Sequence, residues 1–158
     1  MGEYEALKRK RNILFPKTRF KCRKCGKCCV EDERGGRQIA LTEKDAEEIS
    51  NATGSKLIDF AEKNTSEAFP YAIRLIGGKC FFLGPSNKCS IYPVRPLVCR
   101  FYPFMLQKIG GRYVFHVDPF CPGLGEGIYL DREYFEKLVE EAEKRLNVFA
   151  RQCGTHRG

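Results

Sequence analysis

Cysteine is the residue type in this sequence whose number and spacing could do chemistry. Four cysteines stand within eight residues and four more follow later: Cys22, Cys25, Cys28, Cys29, Cys80, Cys89, Cys99 and Cys121. A Cys-x-x-Cys pair brings two sulfurs to one ion, and a third cysteine at the same spacing lets the loop wrap a larger object. Gly26, inside the second repeat, permits the positive φ that such a loop often needs. These eight cysteines are therefore predicted to be the ligands of a metal or cluster site.

The adjacent pair Cys28 and Cys29 poses a geometric question, because side chains of neighbouring residues in a looped chain tend to diverge. One of the two thiols could close a site with Cys22 and Cys25, while the other reaches toward the later cysteines. The number of cysteines permits two four-cysteine centres. It equally permits one centre together with free or redox-active thiols.

The length and the N-terminal sequence predict a single cytoplasmic domain over residues 1–158. A chain of this size can bury a core of its own. The first eleven residues are charged and precede no apolar stretch of signal or membrane-spanning length, so we expect no membrane contact. In a reducing cytosol, nine cysteines are better explained as metal ligands or reactive thiols than as disulfides.

The formal net charge of +8 leaves a nucleic-acid partner open but supports it only weakly. This charge counts every thiol as neutral, whereas metal-bound cysteines are thiolates. Eight thiolates around two divalent centres would reduce the charge to +4, and one four-cysteine centre would reduce it to +6. Part of the basic excess can therefore balance a negative metal-thiolate centre.

Local patterns predict an α+β fold of short elements around the cysteine-rich loop. Residues 37–41 form a candidate strand, and Thr42 is a good N-cap for a helix that runs to about Asn51. Gly54 is expected to end that unit. Ser55 is then expected to cap a second short helix, which ends before the following Phe-Pro step.

Two Gly-Gly pairs between apolar runs predict β-hairpins. The first hairpin joins residues 71–76 to 79–83, and the second joins 104–109 to 112–117. Cys80 would then lie on a strand directly after a turn. Residues 84–103 are rich in proline and contain two cysteines, which suits a loop that wraps a site.

The clearest predicted helix is amphipathic and C-terminal, at about residues 131–150. Asp131 suits its N-cap. Apolar residues recur there at spacings of three and four and form one stripe, consisting of Phe135, Leu138, Val139, Ala142, Leu146 and Phe149. We interpret this stripe as core packing, so its aromatic members do not indicate a cofactor.

A family resemblance rests on three parts of the sequence. These are the Cys-x-x-Cys-Gly-x-Cys-Cys loop after Phe20-Lys21, residues 39–42 with Asp45, and the run over residues 80–103. Together they resemble the CxxCxxCC cysteine-cluster family, the YkgJ-like proteins assigned to zinc or iron chelation. The resemblance covers residues 19–125 and includes every family cysteine. It implies that the bound species is zinc or an iron-sulfur cluster, and flagellin lysine N-methylases carry a similar cysteine set.

Two arginines in the second cysteine run are candidates to support the bound metal. A four-thiolate zinc centre, or an oxidised four-iron cluster, retains a charge of about −2. A guanidinium group can donate several hydrogen bonds to such sulfurs or pair with their charge. We therefore expect Arg95 and Arg100 to lie around the cysteine ligands.

The spacing of the first cysteines favours an iron-sulfur cluster, with zinc as the alternative. Zinc sites favour paired Cys-x-x-Cys knuckles that lie far apart in sequence. The three-cysteine loop Cys22, Cys25, Cys28 instead resembles the way ferredoxins hold a four-iron cluster. We expect a cluster of the 4Fe-4S type.

Three functions are compatible with these features. The first is a metal-binding protein that holds one or two cysteine-ligated centres and has a redox, metal-handling or undefined enzymatic role. The second is a zinc-stabilised module that binds RNA or another acidic partner through its basic surface. The third, from the resemblance alone, is an enzyme related to protein lysine methylation. No phosphate-binding loop, dinucleotide fingerprint or nucleophile elbow is present, so no catalytic residue is predicted.

Overall fold

The computed structural model describes residues 11–30 and 38–146. Within these ranges the chain is α+β and built from short elements, as predicted. The described helices are α1 (Glu43–Thr53), α2 (Leu57–Phe60), α3 (Leu97–Phe101) and α4 (Arg132–Leu146). The described strands are β1 (Ile13–Leu14), β2 (Arg19–Phe20), β3 (Ala40–Leu41), β4 (Ala61–Lys63), β5 (Tyr71–Ile73), β6 (Leu75–Ile76), β7 (Lys79–Cys80), β8 (Phe104–Ile109), β9 (Arg112–Val117) and β10 (Ile128–Tyr129).

The chain forms two compact units, each built from two segments of sequence. The first unit consists of Met1–Cys22 and Phe101–Lys144, and the second of Arg23–Arg100 and Arg145–Gly158. Small compact units can unfold together as one cooperative domain. The expectation of a single domain over residues 1–158 therefore stays a prediction.

The first unit contains the second predicted hairpin, which is confirmed. Strands β8 and β9 pair antiparallel from Phe104 opposite Val117 to Ile109 opposite Arg112. Both turn glycines, Gly110 and Gly111, have positive φ, which matches the twist of the flanking strands in a two-residue hairpin turn. The short β1 adds in parallel to β9, and a separate pair is formed by β2 and β10.

The first unit is packed around one face of α4. Phe135 is fully buried, and its ring lies 5.2 Å from that of Phe104 and 4.9 Å from that of Phe115. Asp131 accepts the Tyr134 N–H at 3.0 Å, as expected of a cap. Within the described range α4 ends at Leu146, and predicted residues 147–150 lie outside that range. No described helix is long and apolar enough to cross a membrane.

The second unit contains a three-stranded sheet in the order β3-β5-β4 and the helix α1. The predicted N-cap is confirmed: Thr42 and Asp45 form a reciprocal capping box, each side chain accepting the other's backbone N–H at 2.9 Å. The predicted end at Gly54 is also confirmed, because this residue adopts the left-handed conformation with φ 72°. The α1 side chain Ile49 is fully buried in the core of this unit.

Two details of the second unit differ from the predictions. Ser55 does not cap α2; the N-cap is Lys56, and the Ser55 carbonyl instead accepts the Ser50 hydroxyl at 2.6 Å. The first Gly-Gly hairpin is also shorter than expected, because only β6 and β7 pair across its turn. Strand β5 pairs with β3 and β4 instead. Ala72 and Ile73 of β5 are buried in this arrangement, and burial of one face fixes which strands pair.

Candidate metal centre

Five cysteines of the second unit lie against the hydrophobic core of that unit. Cys29 and Cys80 are buried members of the core, and the other three are partly buried and pack against it: Cys28, Cys89 and Cys99. The core residues around them include Phe82 and Ile91. None of the eight described cysteines forms a disulfide. The fold therefore gathers five thiols that are up to 71 residues apart in sequence.

The cysteine loop is shaped by Gly26. Its φ is 77°, and its carbonyl accepts the Cys29 N–H at 3.0 Å, which closes a short 3-10 turn over Lys27–Cys29. A Cβ on Gly26 would lie 2.7 Å from the carbonyl oxygen of Asn87. Glycine is needed here both for its conformation and for this close approach to the turn Pro85–Asn87. The expected positive φ is confirmed.

A backbone bridge brings Cys29 next to Cys80. Val30 pairs antiparallel with Lys79, so the residues on either side of this bridge become neighbours. The two thiols are hydrogen-bonded to each other, and Cys80 Sγ also accepts the Phe82 N–H at 3.4 Å. Strand β7 carries Cys80 directly after the turn, as the sequence predicted.

Cys89 and Cys99 are held by the proline-rich run. A bridge between Leu83 and Cys89 folds this run back on itself, and the Ser90 N–H donates to the Phe82 carbonyl at 2.9 Å. Cys99 lies in α3, where its N–H donates to the carbonyl of the buried Pro96 at 3.0 Å. The run is broken into short turns, as its prolines indicate.

The pKa values of Cys29 and Cys80 are shifted in opposite directions. A hydrogen bond from Cys28 lowers the pKa of Cys29, but its own hydrogen bond to Cys80, burial and the negative charges of Cys80 and Cys99 raise that pKa to about 12. The pKa of Cys80 is lowered, chiefly because its thiolate accepts the hydrogen bond from Cys29. Crowded thiols therefore resist full ionisation, and a bound cation is what would relieve this repulsion.

The charge of Arg95 acts on one thiol of this group, Cys89, and its support of a bound metal stays a prediction. Burial raises the pKa of Cys89, while the Ile91 N–H and the charge of Arg95 both act to lower it. The Arg95 guanidinium carbon lies 3.8 Å from the centre of the Tyr92 ring, and Lys24 Nζ lies 4.7 Å from the same centre. Tyr92 was not singled out from the sequence; its aromatic ring beside Pro93 was the available signal.

Arg100 lies in a network of charges around α1 and α3. Its Nε donates to the Arg95 carbonyl at 2.9 Å, and its Nη2 lies 3.7 Å from Glu48 Oε1. Arg145 Nη1 bridges Glu48 Oε1 and Asp45 Oδ1, at 3.0 Å from each. Burial raises the pKa of Asp45, although its donors act to lower it. That Arg100 supports a bound metal stays a prediction.

Two further cysteines belong to the first unit. The Lys21 N–H donates to the Gly123 carbonyl at 3.1 Å, which joins the end of β2 to the loop that carries Cys121. A Cβ on Gly123 would lie 2.2 Å from the Lys21 carbonyl oxygen, so only glycine allows this contact. Cys22 follows Lys21 directly and is exposed, whereas Cys121 is half-buried. The first unit thus brings together the segments that carry these two thiols.

The donor set is chemically suited to zinc or to iron-sulfur chemistry. Thiolate is the soft ligand that both prefer, and backbone N–H groups and a guanidinium beside the sulfurs are typical support for such centres. In the arrangement described for residues 11–30 and 38–146, no group of three or more His, Cys, Asp or Glu side chains is placed to hold a metal ion. The fit is therefore one of donor chemistry and proximity.

Comparison with known proteins assigns the class. A model of the CxxCxxCC family, described as a "putative zinc- or iron-chelating domain", matches residues 21–154, and the chain belongs to this family. The family assignment supports metal binding. An uncharacterized protein of Methanocaldococcus jannaschii is 32% identical over 126 residues, which is 74% of this chain and 65% of that protein. No solved structure matches the chain.

Proposed function

We propose that this protein holds a cysteine-ligated metal centre on its second unit. The observation that supports the proposal is the gathering of five thiols around one part of the hydrophobic core: Cys28, Cys29, Cys80, Cys89 and Cys99. A hydrophobic core gains little from five clustered thiols that repel one another when ionised, whereas a metal centre needs them. A centre with four protein ligands needs only four of these five thiols.

As the bound species we propose an iron-sulfur cluster of the 4Fe-4S type, which the spacing of the first cysteines favours. Such a cluster would supply one-electron chemistry, which suits a redox role in the cytoplasm. The aromatic residues Phe81 and Phe82 pack against the thiols and would limit the access of water. The Phe82 N–H, which points at Cys80 Sγ, would stabilise the negative sulfur.

The three remaining cysteines are proposed to complete the eight-cysteine ligand set. Cys25 lies in the second unit, and Cys22 and Cys121 lie in the first. The number of cysteines allows a second centre or a set of redox-active thiols. The metal content per chain separates these two arrangements.

The test is the metal and acid-labile sulfide content of protein purified without oxygen. We expect about four iron and four sulfide per centre and an absorption band near the visible region that bleaches on reduction. Stoichiometric zinc without sulfide would contradict the cluster and retain the metal centre. If the protein contains no metal when it is purified and binds none during reconstitution, the proposed function is refuted.

A cysteine-to-serine pair provides the matched control. Cys80→Ser removes one of the two buried thiols and is expected to lower the metal content. Cys153→Ser makes the same chemical change outside the proposed ligand set and is expected to leave the metal content unchanged. Equal metal content in the two variants would contradict the assignment of the site.

A further inference from the structure

The carboxylate of Asp45 links the helix α1 to the helix that carries Cys99. The side chain is 1% exposed. Its Oδ2 accepts the Thr42 N–H at 2.9 Å, and its Oδ1 accepts the Leu97 N–H at 3.2 Å. The first of these bonds is an ordinary helix cap. The second is a contact over 52 positions of sequence, and α1 does not need it.

The backbone of α3 leaves Leu97 with an N–H that needs an outside acceptor. The first N–H groups of any helix have no acceptor within the helix. Leu97 begins α3 and is 3% exposed, so water is a poor substitute for a protein acceptor. Asp45 supplies that acceptor, and Cys99 lies two residues further along the same short helix. The position of Cys99 is therefore tied to that of Asp45.

A second contact, an ion pair, also joins α3 to α1. Glu48 lies three residues after Asp45 on α1 and pairs with Arg100, which is the residue after Cys99. Arg145 contacts both acids at 3.0 Å and so keeps them in register. Cys99 thus stands between two points at which α3 is fixed to α1.

We propose that Asp45 is the positioning residue that sets Cys99 in place as a metal ligand. The proposal rests on the proposed metal-binding function and adds to it a residue that does not touch the metal. A five-residue helix has few internal hydrogen bonds, so its placement depends on outside contacts of this kind. Loss of the Leu97 contact would free the turn that carries the thiol.

Two substitutions at Asp45 separate positioning from helix capping. Asp45→Ala removes both acceptors. Asp45→Asn keeps one carbonyl oxygen and replaces the other oxygen with an amide donor. The amide oxygen is expected to face Leu97 and Arg145, because the opposite orientation would set the new donor against two donors and not one. Asp45→Asn should therefore lose the Thr42 contact and keep α3 in place.

Cobalt is the probe, because Co²⁺ bound by thiolates absorbs visible light in bands that report the ligands. The reduced full-length chain, freed of metal, is titrated with Co²⁺ without oxygen. We expect Asp45→Ala to weaken Co²⁺ binding at least tenfold and to shift its spectrum toward that of Cys99→Ser. Asp45→Asn and the capping control Thr42→Ala should bind within threefold of the unaltered chain and keep its spectrum.

The outcomes distinguish the two proposals. An unaltered chain that binds neither Co²⁺ nor a cluster reconstituted from iron and sulfide would remove the proposed function, and this inference with it. An unaltered chain that binds Co²⁺, with Asp45→Ala identical to it or Asp45→Asn as impaired as Asp45→Ala, would overturn the inference alone. If Asp45→Ala does not fold, Glu48→Ala is used in its place. This variant removes the ion pair between Glu48 and Arg100 and so loosens α3. The expected result is then a smaller shift in the same direction, and an unchanged spectrum would refute the inference.

Discussion

Replacement of Gly26 by alanine tests whether close backbone packing holds the cysteine loop in place. The chain offers a matched control in Gly54, which has nearly the same backbone conformation, with φ 72° against 77°. A Cβ on Gly54 would meet nothing within 4 Å, whereas one on Gly26 would lie 2.7 Å from the Asn87 carbonyl oxygen and 2.8 Å from its Cβ. The two variants thus share the conformational penalty and differ in the steric clash.

The expected magnitudes follow from these two terms. An alanine in the left-handed region costs about 1–2 kcal/mol, which is the whole expected loss of unfolding free energy for Gly54→Ala. Gly26→Ala adds overpacking against backbone, which costs a further 1–3 kcal/mol or so. If the clash is relieved by movement of the loop, metal binding must reverse that movement. The metal affinity of Gly26→Ala should then fall by roughly 5- to 150-fold, at 1.4 kcal/mol per factor of ten.

Two measurements check this prediction. Denaturant unfolding of the reduced, metal-free chain gives the change in stability, and Co²⁺ titration gives the change in affinity. Gly54→Ala should leave the Co²⁺ affinity within threefold of the unaltered chain. If the two glycine variants lose equal stability and equal affinity, the contact between the cysteine loop and the turn Pro85–Asn87 does not organise the site.

Three further predictions concern protons, metal and packing. The pKa of Cys29 is about 12 in the metal-free fold, so its thiol must lose a proton to bind metal at neutral pH. Metal affinity should therefore rise with pH between 6 and 9 or so, and pH-dependent Co²⁺ titrations that show no rise would contradict this. Removal of the metal by a chelator should lower the unfolding temperature, as measured by calorimetry; an unchanged temperature would indicate that metal does not stabilise the fold. Phe135→Ala should cost about 3–5 kcal/mol of unfolding free energy, whereas Phe120→Ala, at a 67% exposed position, should change it by less than about 0.5 kcal/mol. Similar losses in the denaturant unfolding of these two variants would refute the packing described for α4.

The elements that were predicted well are those with strong local signals. The hairpin around Gly110 and Gly111 is confirmed because its turn and its strands are adjacent in sequence. The helix α1 is confirmed at both ends because Thr42 and Gly54 act on neighbouring backbone groups. Local chemistry decides such elements, so a single sequence suffices to predict them.

The predictions that failed depended on distant partners. The first Gly-Gly pair was expected to join two longer strands, but β5 pairs with β3 and β4, and the paired residues are 8 to 32 positions apart in sequence. Ser55 was expected to act as a cap, but no side chain caps α2. The choice of pairing partner depends on burial in the sheet, and local sequence propensity does not predict it.

The sequence alone predicted the cysteine set and its soft-metal chemistry, because residue type and spacing indicate a thiolate ligand set. Only the tertiary structure decided that five of these thiols lie against the hydrophobic core of one unit while Cys22 and Cys121 belong to the other. It also decided that Asp45, which reads as a simple helix-capping residue, holds the helix of Cys99. The physical reason is the same in both cases. Thiols and N–H groups far apart in sequence become neighbours only when strand bridges and core burial bring their segments together.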